Sequence, residues 1–437
     1  MSDGAQIEVK LDIAARGVRI DGSARSIVPA SEPLPQALEL VLGDDAHVSV
    51  PVDAAGTAPA SLLLIGDAGR YYLVDPEANG GPRREVSVAA APRFYERRTA
   101  SGMPMRRVAT VVGSHLLVHP SGACGFSVQG APCRFCLEGA RAEREAAATV
   151  ADVVEVVRAA FEEGVAESVY LNTDAFEVED GGIAFVAPYV EGIRRHFDTL
   201  VAVQAHPPRS DRWIDWAYAL GVDALSFNLE IYDPELLDRH CIGRMRYIGR
   251  QRYLDALEHA ASIFPSGTVW SDLVLGLEPP ESTIAGIEAF ASRGVVPVVT
   301  ARHALSTPGE RLAAPVVGRV LAHLYRAVHE QGINMGWIRD LVGGVAPLDA
   351  RARRPGSRAR RCDARHHPVP ARRARGARAG ALPPPPARQE HRRFLRLRAP
   401  LIPWESQPPV ASREPSSSTR APCGASWPDA PTGPWCC

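Results

Sequence analysis

Apolar runs alternate with helical stretches from about residue 108 onward, and this alternation constrains the fold more than any other feature of the chain. Short runs rich in β-branched residues predict six strands: Leu116–His119, Ser168–Leu171, Leu200–Val203, Ala224–Asn228, Val269–Leu275 and Val295–Val299. Longer amphipathic stretches predict six helices: Val150–Glu163, Ala187–Phe197, Arg212–Leu220, Arg250–Phe264, Ser282–Ser292 and Pro315–Gln331. Six strand–helix repeats predict an α/β fold with a parallel sheet or a partial barrel.

Three cysteines follow the first predicted strand. The segment GACGFSVQGAPCRFC holds Cys124, Cys133 and Cys136 in the spacing C-x8-C-x2-C. Reactive groups of parallel α/β folds lie on loops beyond the carboxyl ends of the strands, so this loop is a candidate site. Thiolates bind iron–sulfur clusters or zinc, usually with four ligands, so three cysteines leave one position open. A structural zinc site completed by His119 or Cys241, and unrelated thiols, are the alternatives.

The cysteine loop and the six repeats together resemble the radical S-adenosylmethionine (SAM) superfamily, over about residues 110–330. That resemblance implies a partial (β/α)6 barrel, a [4Fe-4S] cluster bound by Cys124, Cys133 and Cys136, and SAM as a second cofactor. An aromatic residue usually precedes the last cysteine in this family, and here it is Phe135. The first gap has five residues more than the usual C-x3-C-x2-C pattern.

Polar residues at the ends of two other predicted strands extend the resemblance. In YLNTDAF they are Asn172, Thr173 and Asp174, which stand where the family usually has a Gly-Gly-Glu-like turn that holds the SAM amino group. In SFNLEIYD, Asn228 and Glu230 alternate with apolar residues toward one face, together with Ser226, and are candidates to bind the ribose or the substrate. An ordinary capping turn and a satisfied interior polar set are the respective alternatives.

Further candidates lie on later segments. The turn LGLEPPES carries Gly276 and Glu281, which match half of a family pattern near the nucleoside, although Glu281 also suits the first turn of a helix. Arg246, with Arg244 and Arg250 beside it, is a candidate to pair with the SAM carboxylate, because a guanidinium binds carboxylates bidentately. Cys241 is either a small buried residue or a redox or hydrogen-donor group. Arg302 and His303 are weaker candidates near the adenine.

Charge and composition exclude several function classes. The net charge of −1 is a cancellation, since residues 347–437 carry +12 and the preceding 346 residues carry −13. An acidic body argues against specific nucleic-acid binding, which needs clustered Lys and Arg. Lys10 is the only lysine and lies in a polar stretch, which argues against Schiff-base chemistry. The sequence shows no secretory signal and no apolar run of about 18–20 residues, so a cytoplasmic protein without a membrane segment is expected.

The sequence divides into three predicted parts. Residues 1–105 predict a small β-rich accessory domain, with β-rich runs at Ile7–Ile13, His47–Val52, Leu62–Ile65 and Tyr71–Val74. Residues 106–346 hold the strand–helix repeats of the partial barrel. Residues 347–437 are rich in Arg and Pro and predict a disordered tail, which is either a natural basic tail or the product of a shifted reading frame in a GC-rich gene.

The resemblance implies a function as well as a fold. A reduced [4Fe-4S] cluster would cleave SAM to methionine and a 5′-deoxyadenosyl radical, which removes hydrogen from a small-molecule or carrier-bound substrate. The implied electron donor is a protein such as flavodoxin or ferredoxin. A zinc- or iron–sulfur-bearing interaction protein without SAM turnover, and a truncated inactive remnant, are the alternatives that the sequence leaves open.

Overall fold

The N-terminal region forms a six-stranded mixed sheet. The computed structural model describes residues 3–353, apart from 28–36, 43–45, 57, 79–80, 137–145, 175, 308, 310, 337 and 339–343. Helix α1 (Asp3–Arg16) precedes the strands β1 (Val18–Ile20), β2 (Ala37–Leu42), β3 (Ala46–Pro51), β4 (Leu62–Asp67), β5 (Arg70–Val74) and β6 (Arg84–Val88). Their order in the sheet is β1-β4-β5-β6-β2-β3, with only the β1–β4 pair parallel.

Helix α1 corrects the sequence-based expectation of a strand at Ile7–Ile13. That prediction followed the strict alternation of apolar and polar residues, which is typical of a half-buried strand. On the helix, the same alternation buries two faces: Ile7 and Leu11 pack into the core of the second sheet, and Ile13 packs into the core of the first. Residues four apart share a helix face, so α1 lies between two cores and contributes to both.

The second sheet has seven strands: β7 (Ala109–Val112), β8 (His115–Val118), β9 (Ser168–Asn172), β10 (Val201–Gln204), β11 (Ala224–Ser226), β12 (Val269–Leu275) and β13 (Val296–Ala301). Their spatial order follows the chain, and the six strands from β8 to β13 are all parallel, while β7 pairs antiparallel with β8. Six consecutive parallel strands in sequential order confirm the predicted partial (β/α)6 barrel.

One short helix precedes the strands of this sheet, and the other helices follow β8 or later strands along the chain. They are α2 (Met105–Val108), α3 (Gly125–Val128), α4 (Val150–Glu163), α5 (Ile183–His196), α6 (Arg212–Leu220), α7 (Pro234–His240), α8 (Ile242–Tyr247), α9 (Arg250–Ile263), α10 (Pro280–Ala291) and α11 (Ala314–Glu330). Helices α4 and α6 have the predicted bounds. A capping box between Thr149 and Asp152 begins α4, and Gly164, with φ of 72°, ends it. No described helix is long and apolar enough to cross a membrane.

The concave face of the barrel sheet is lined by polar and aromatic side chains. The register pairs Gln204 with Ser226 and Ser226 with Trp270, so these residues share one face. Two intervening strands separate Tyr170 on β9 from Trp270 on β12, yet their ring centroids lie 5.6 Å apart. Strands in a flat sheet are spaced about 4.8 Å apart, so these rings meet only because the sheet curves around them. We call this concave face the lumen.

Residues after α11 return to the barrel. Val345 forms an antiparallel bridge with Val299 of β13, and Ala350 is buried in the barrel core. A 3-10 turn at Asp349–Arg353 ends the described chain, so ordered structure continues past residue 346. The rest of the predicted tail lies outside the described residues, and the division into three parts stays a prediction.

A buried ion pair ties α1 to the first sheet and sets an expected acid response. Arg16, 5% exposed, donates to both carboxylate oxygens of Asp75 at 2.6 and 2.8 Å. The hydrogen bond from Arg16 lowers the pKa of Asp75 from 3.8 to about 2. A lowered pKa in the folded state stabilises the fold above the ordinary pKa, and this stabilisation is lost as the pH falls from about 4 toward 2.

We expect Asp75→Asn to lower the urea midpoint near neutral pH, and the difference from wild type to shrink below about pH 4. Urea unfolding of both proteins across this range measures it. Asp67→Asn is the matched control, because Asp67 and its partner Arg83 have side chains 62% and 59% exposed and such pairs contribute little. A difference that stays constant with pH would contradict the assignment to Asp75.

Candidate active site

The cysteine loop crosses the carboxyl edge of the barrel sheet, directly after β8. Cys124 caps the short helix α3, and the next N–H, of Gly125, donates to the backbone oxygen of Asp174 at 2.6 Å. A Cβ at Gly125 would lie 2.6 Å from the Cβ of Phe176, so only glycine allows this close approach. The loop is therefore held against the turn that follows β9.

Phe126 anchors the loop in an aromatic cluster. Its ring is buried and lies 4.5 Å from the ring of Phe176, 4.7 Å from that of His206 and 6.5 Å from that of Tyr247, between centroids. These partners follow β9 and β10 or end α8, so one side chain joins the cysteine loop to three other segments. Burial lowers the pKa of His206 well below its usual value, which keeps this imidazole neutral.

Cys133 is the cysteine with the most specific surroundings. It is buried, and Nε of Arg244 donates to its Sγ at 3.5 Å. A hydrogen bond with the thiol of Cys241, together with the charge and hydrogen bond of Arg244, lowers the pKa of Cys133 to about 6 despite its burial. The same interaction and burial raise the pKa of Cys241. Cys133 is therefore favoured as the thiolate, which is the form that binds metals.

Cys124 and Cys136 are half-buried, and none of the three loop cysteines is in a disulfide bond with a described residue. The N–H of Cys136 donates to the backbone oxygen of Cys133 at 3.3 Å, and Phe135 between them packs against the barrel core. Within the described part of the chain, no three Cys, His, Asp or Glu side chains are grouped closely enough to hold a metal ion. The donor chemistry of the loop fits a thiolate-bound cluster, whereas the arrangement of three ligands is not formed.

Arg244 lies at the centre of the polar groups behind Cys133. Its guanidinium donates to the backbone oxygen of Asn228, to the hydroxyl of Tyr253 at 3.3 Å and to Oε1 of Glu230 at 3.2 Å. Only 8% of Arg244 is exposed, while Arg246, two residues later on α8, lies on the exposed side. Both arginines are candidates from the sequence, but of these two side chains only that of Arg244 is buried in the folded chain. A role of Arg246 in cofactor binding stays a prediction.

Glu230 adopts a backbone conformation that is rare for a residue with a side chain. Its φ is 74°, held by hydrogen bonds of its N–H to Asp272 O at 2.9 Å and of the Val274 N–H to its own oxygen at 2.8 Å. Burial raises the pKa of Glu230 to about 7, against the opposing effect of Arg244. Strained backbone and a shifted pKa near a cleft are both common at functional sites.

The other predicted residues lie at the same edge of the sheet or behind it. Asn172 ends β9, Thr173 follows it and is buried, and the carboxylate of Asp174 lies 3.5 Å from Nδ1 of His119 beside the cysteine loop. Asn228 is 5% exposed and hydrogen-bonded to Ser226, so the predicted interior polar set is present. Gly276 directly follows β12 with φ of 96°.

Two residues of the predicted later loops have hydrogen-bond or ion-pair partners in the protein. Glu281 lies in the first turn of α10 and pairs with Arg319 at 2.7 Å. Nδ1 of His303 lies 2.8 Å from the backbone oxygen of Ala14 in α1. Asp272, a single acidic residue in the apolar strand β12, was not singled out from the sequence, although its isolation in an apolar run is a signal.

The chain is similar in sequence to a curated protein and in fold to solved structures. No protein-family model matches the chain. Bacteriochlorophyllide c C-7(1)-hydroxylase of Chlorobaculum limnaeum is 26% identical over 224 residues, covering 46% of this chain and 55% of that protein. The chain thus spans about half the length of the curated relative that it matches.

Among solved structures, methylornithine synthase is 17% identical, with a TM-score of 0.40, over 50% of this chain and 64% of that one. A radical SAM methyltransferase from Sphaerobacter thermophilus is 15% identical, with a TM-score of 0.37, over 72% of this chain and 80% of that one. A radical SAM enzyme is thus among the solved structures to which this chain is similar in fold.

Proposed function

We propose that this chain is a radical SAM enzyme and that Cys124, Cys133 and Cys136 hold its [4Fe-4S] cluster. The observation that carries the proposal is the thiol of Cys133, which lies at the carboxyl edge of six sequential parallel strands and beside the buried guanidinium of Arg244. When bound, such a cluster supplies the electron that cleaves SAM into methionine and a 5′-deoxyadenosyl radical.

Residues of this chain would position the cysteine ligands and the neighbouring carboxyl group. Arg244 stabilises the Cys133 thiolate and orients Glu230, and the Phe126 cluster keeps the cysteine loop against the barrel edge. Since burial raises the pKa of Glu230 to about 7, its carboxyl group can hold or release a proton near neutral pH while Oε1 accepts from Arg244. Cys241, next to Cys133, is the proposed candidate for a redox or hydrogen-donor role.

SAM itself is proposed to contact the residues that end the strands. These are Asn172, Thr173, Asp174, Asn228, Glu230 and Gly276, with Phe135 on the loop and Arg246 on α8. Support comes from their common position, because parallel strands bring their carboxyl ends to one edge of the sheet. The substrate is proposed to be a small or carrier-bound molecule. The proposed electron donor is a flavodoxin or ferredoxin, and the proposed location is the cytoplasm.

A second function has a specific observation in its favour. Cys133 interacts with Cys241, which is one of the two residues that could complete a structural zinc site with the loop cysteines. A zinc- or cluster-bearing interaction protein without SAM turnover is compatible with this arrangement, as is a remnant that binds a cluster without productive turnover.

Anaerobic reconstitution of the full chain distinguishes these functions. We expect about four irons and four sulfides per chain, little zinc, and 5′-deoxyadenosine when SAM and a strong reductant are added. Metal analysis and chromatography of the products measure both results. Bound zinc, or a cluster that is indifferent to SAM, would contradict the proposed enzyme and support the interaction protein.

A further inference from the structure

Two acidic side chains lie side by side in the lumen and have different partners. Glu230 follows β11 and Asp272 lies on β12, joined by the hydrogen bond from the Glu230 N–H to the Asp272 backbone oxygen. Glu230 pairs with Arg244. Asp272 forms no ion pair with any described residue, and its buried Oδ1 has no hydrogen-bond partner in the described structure.

A buried carboxyl oxygen that has no hydrogen-bond donor lowers the stability of the folded chain. Burial, and then the charge of Glu230, raise the pKa of Asp272 well above its usual value, while Arg244 opposes the shift. A buried acceptor without a donor loses its hydration without compensation. Asp272 as a residue is nevertheless only partly buried, although its Oδ1 is covered in the ligand-free structure.

The neighbours of Asp272 suit a positively charged group. Trp270, two residues earlier on the same face of β12, packs against Tyr170 with ring centroids 5.6 Å apart. The Tyr170 hydroxyl donates to Gln204 at 2.5 Å, and burial keeps the pKa of Tyr170 high, so the phenol stays neutral. Aromatic faces attract cations, and the only guanidinium described in contact with these carboxyls is already bonded to Glu230, Asn228 and Tyr253.

We propose that Asp272 binds a cationic nitrogen of the substrate, a protonated amine, in the lumen between the Tyr170–Trp270 pair and Glu230. This inference rests on the proposed function and deepens it, since it assigns the substrate class to amines. The charge of the ligand pairs with the carboxylate of Asp272, and its apolar part lies against the aromatic rings.

Butylammonium and butanol are the probes that test it, because they share a carbon chain and differ in charge. We expect butylammonium to raise the thermal unfolding temperature of the full reconstituted chain, and butanol not to do so, because a ligand that binds the folded state stabilises it by mass action. In Asp272→Asn the apparent affinity for butylammonium should fall by about tenfold or more. Asp238→Asn, an exposed acid on α7, is the matched control and should behave as wild type.

Folding of the variant is checked in the absence of probe. Because Asp272→Asn replaces a buried carboxyl group that has no hydrogen-bond donor by an amide of the same shape, its unfolding temperature without ligand should stay close to that of wild type. Equal effects of butanol and butylammonium, an unchanged response in Asp272→Asn, or no butylammonium effect in wild type would each overturn the proposal. The Cys133→Ala chain separates the two proposals: a butylammonium response without iron supports the lumen site even if SAM cleavage fails.

Discussion

Cys133→Ala is expected to lose nearly all iron and sulfide after anaerobic reconstitution. The thiol of Cys133 is biased toward the thiolate, because Cys241 and Arg244 lower its pKa to about 6. Removing one of three thiolate ligands from a cluster that already has an open position leaves too few bonds to retain it. Iron and sulfide analysis, with the visible absorption of the cluster, measures the loss.

Cys241→Ala provides the matched control. Cys241 is also buried and interacts with the Cys133 thiol, but it lies at the end of α7 and outside the loop. This variant should retain iron, with some change in the Cys133 environment. Retention of iron by Cys133→Ala would refute the ligand assignment, and loss of iron from Cys241→Ala alone would place the metal between α7 and the loop.

Arg244→Leu is expected to destabilise the fold by about 3–5 kcal/mol, because removing one partner of a buried ion pair leaves an uncompensated charge. Its guanidinium contacts Glu230, Asn228, Tyr253 and Cys133, so several acceptors lose their donor at once. The pKa of Cys133 should also rise, since Arg244 contributes to lowering it. Urea unfolding of the full chain and thiol alkylation as a function of pH measure the two effects.

Arg246→Leu is the control on the same helix. Its side chain is exposed and lies near the ring of Tyr247, 6.0 Å from the centroid, so the change in stability should stay within about 0.5 kcal/mol. If Arg246 contacts SAM as proposed, SAM binding weakens without a loss of stability. Equal destabilisation by both variants would show that the inward position of Arg244 has no special importance.

Local patterns predicted the barrel well. Each of the six predicted strands corresponds to a parallel strand, and α4 and α6 have the predicted ends, because capping residues and glycines mark helix boundaries within a few residues of sequence. Helix α1 was wrongly predicted as a strand because that prediction, too, relied on a local pattern. Its alternation is local, whereas the presence of two cores that bury opposite faces of α1 is not.

Some residues of the candidate site are likewise predictable from local sequence, whereas others are not. The sequence identifies the cysteine loop, since three thiols within 13 residues and their position after a strand are local facts. It also predicts that Asn228 and Glu230 share one face of a strand, whereas β11 ends at Ser226 and the positive φ of Glu230 interrupts the alternation. Their partner Arg244 could not be chosen over Arg246, because the choice depends on how α8 packs against the barrel.

Residue type and spacing by themselves determined that this chain builds six strand–helix units and carries thiols at their carboxyl edge. Only the tertiary structure decided which charges share the lumen. Curvature of the sheet brings Tyr170 against Trp270 from strands that are not neighbours, and it places Asp272 beside Glu230 without an ion pair to any residue in the described ranges. Such contacts join residues about 40 to 100 positions apart, and no pattern within a single segment encodes the distance between them.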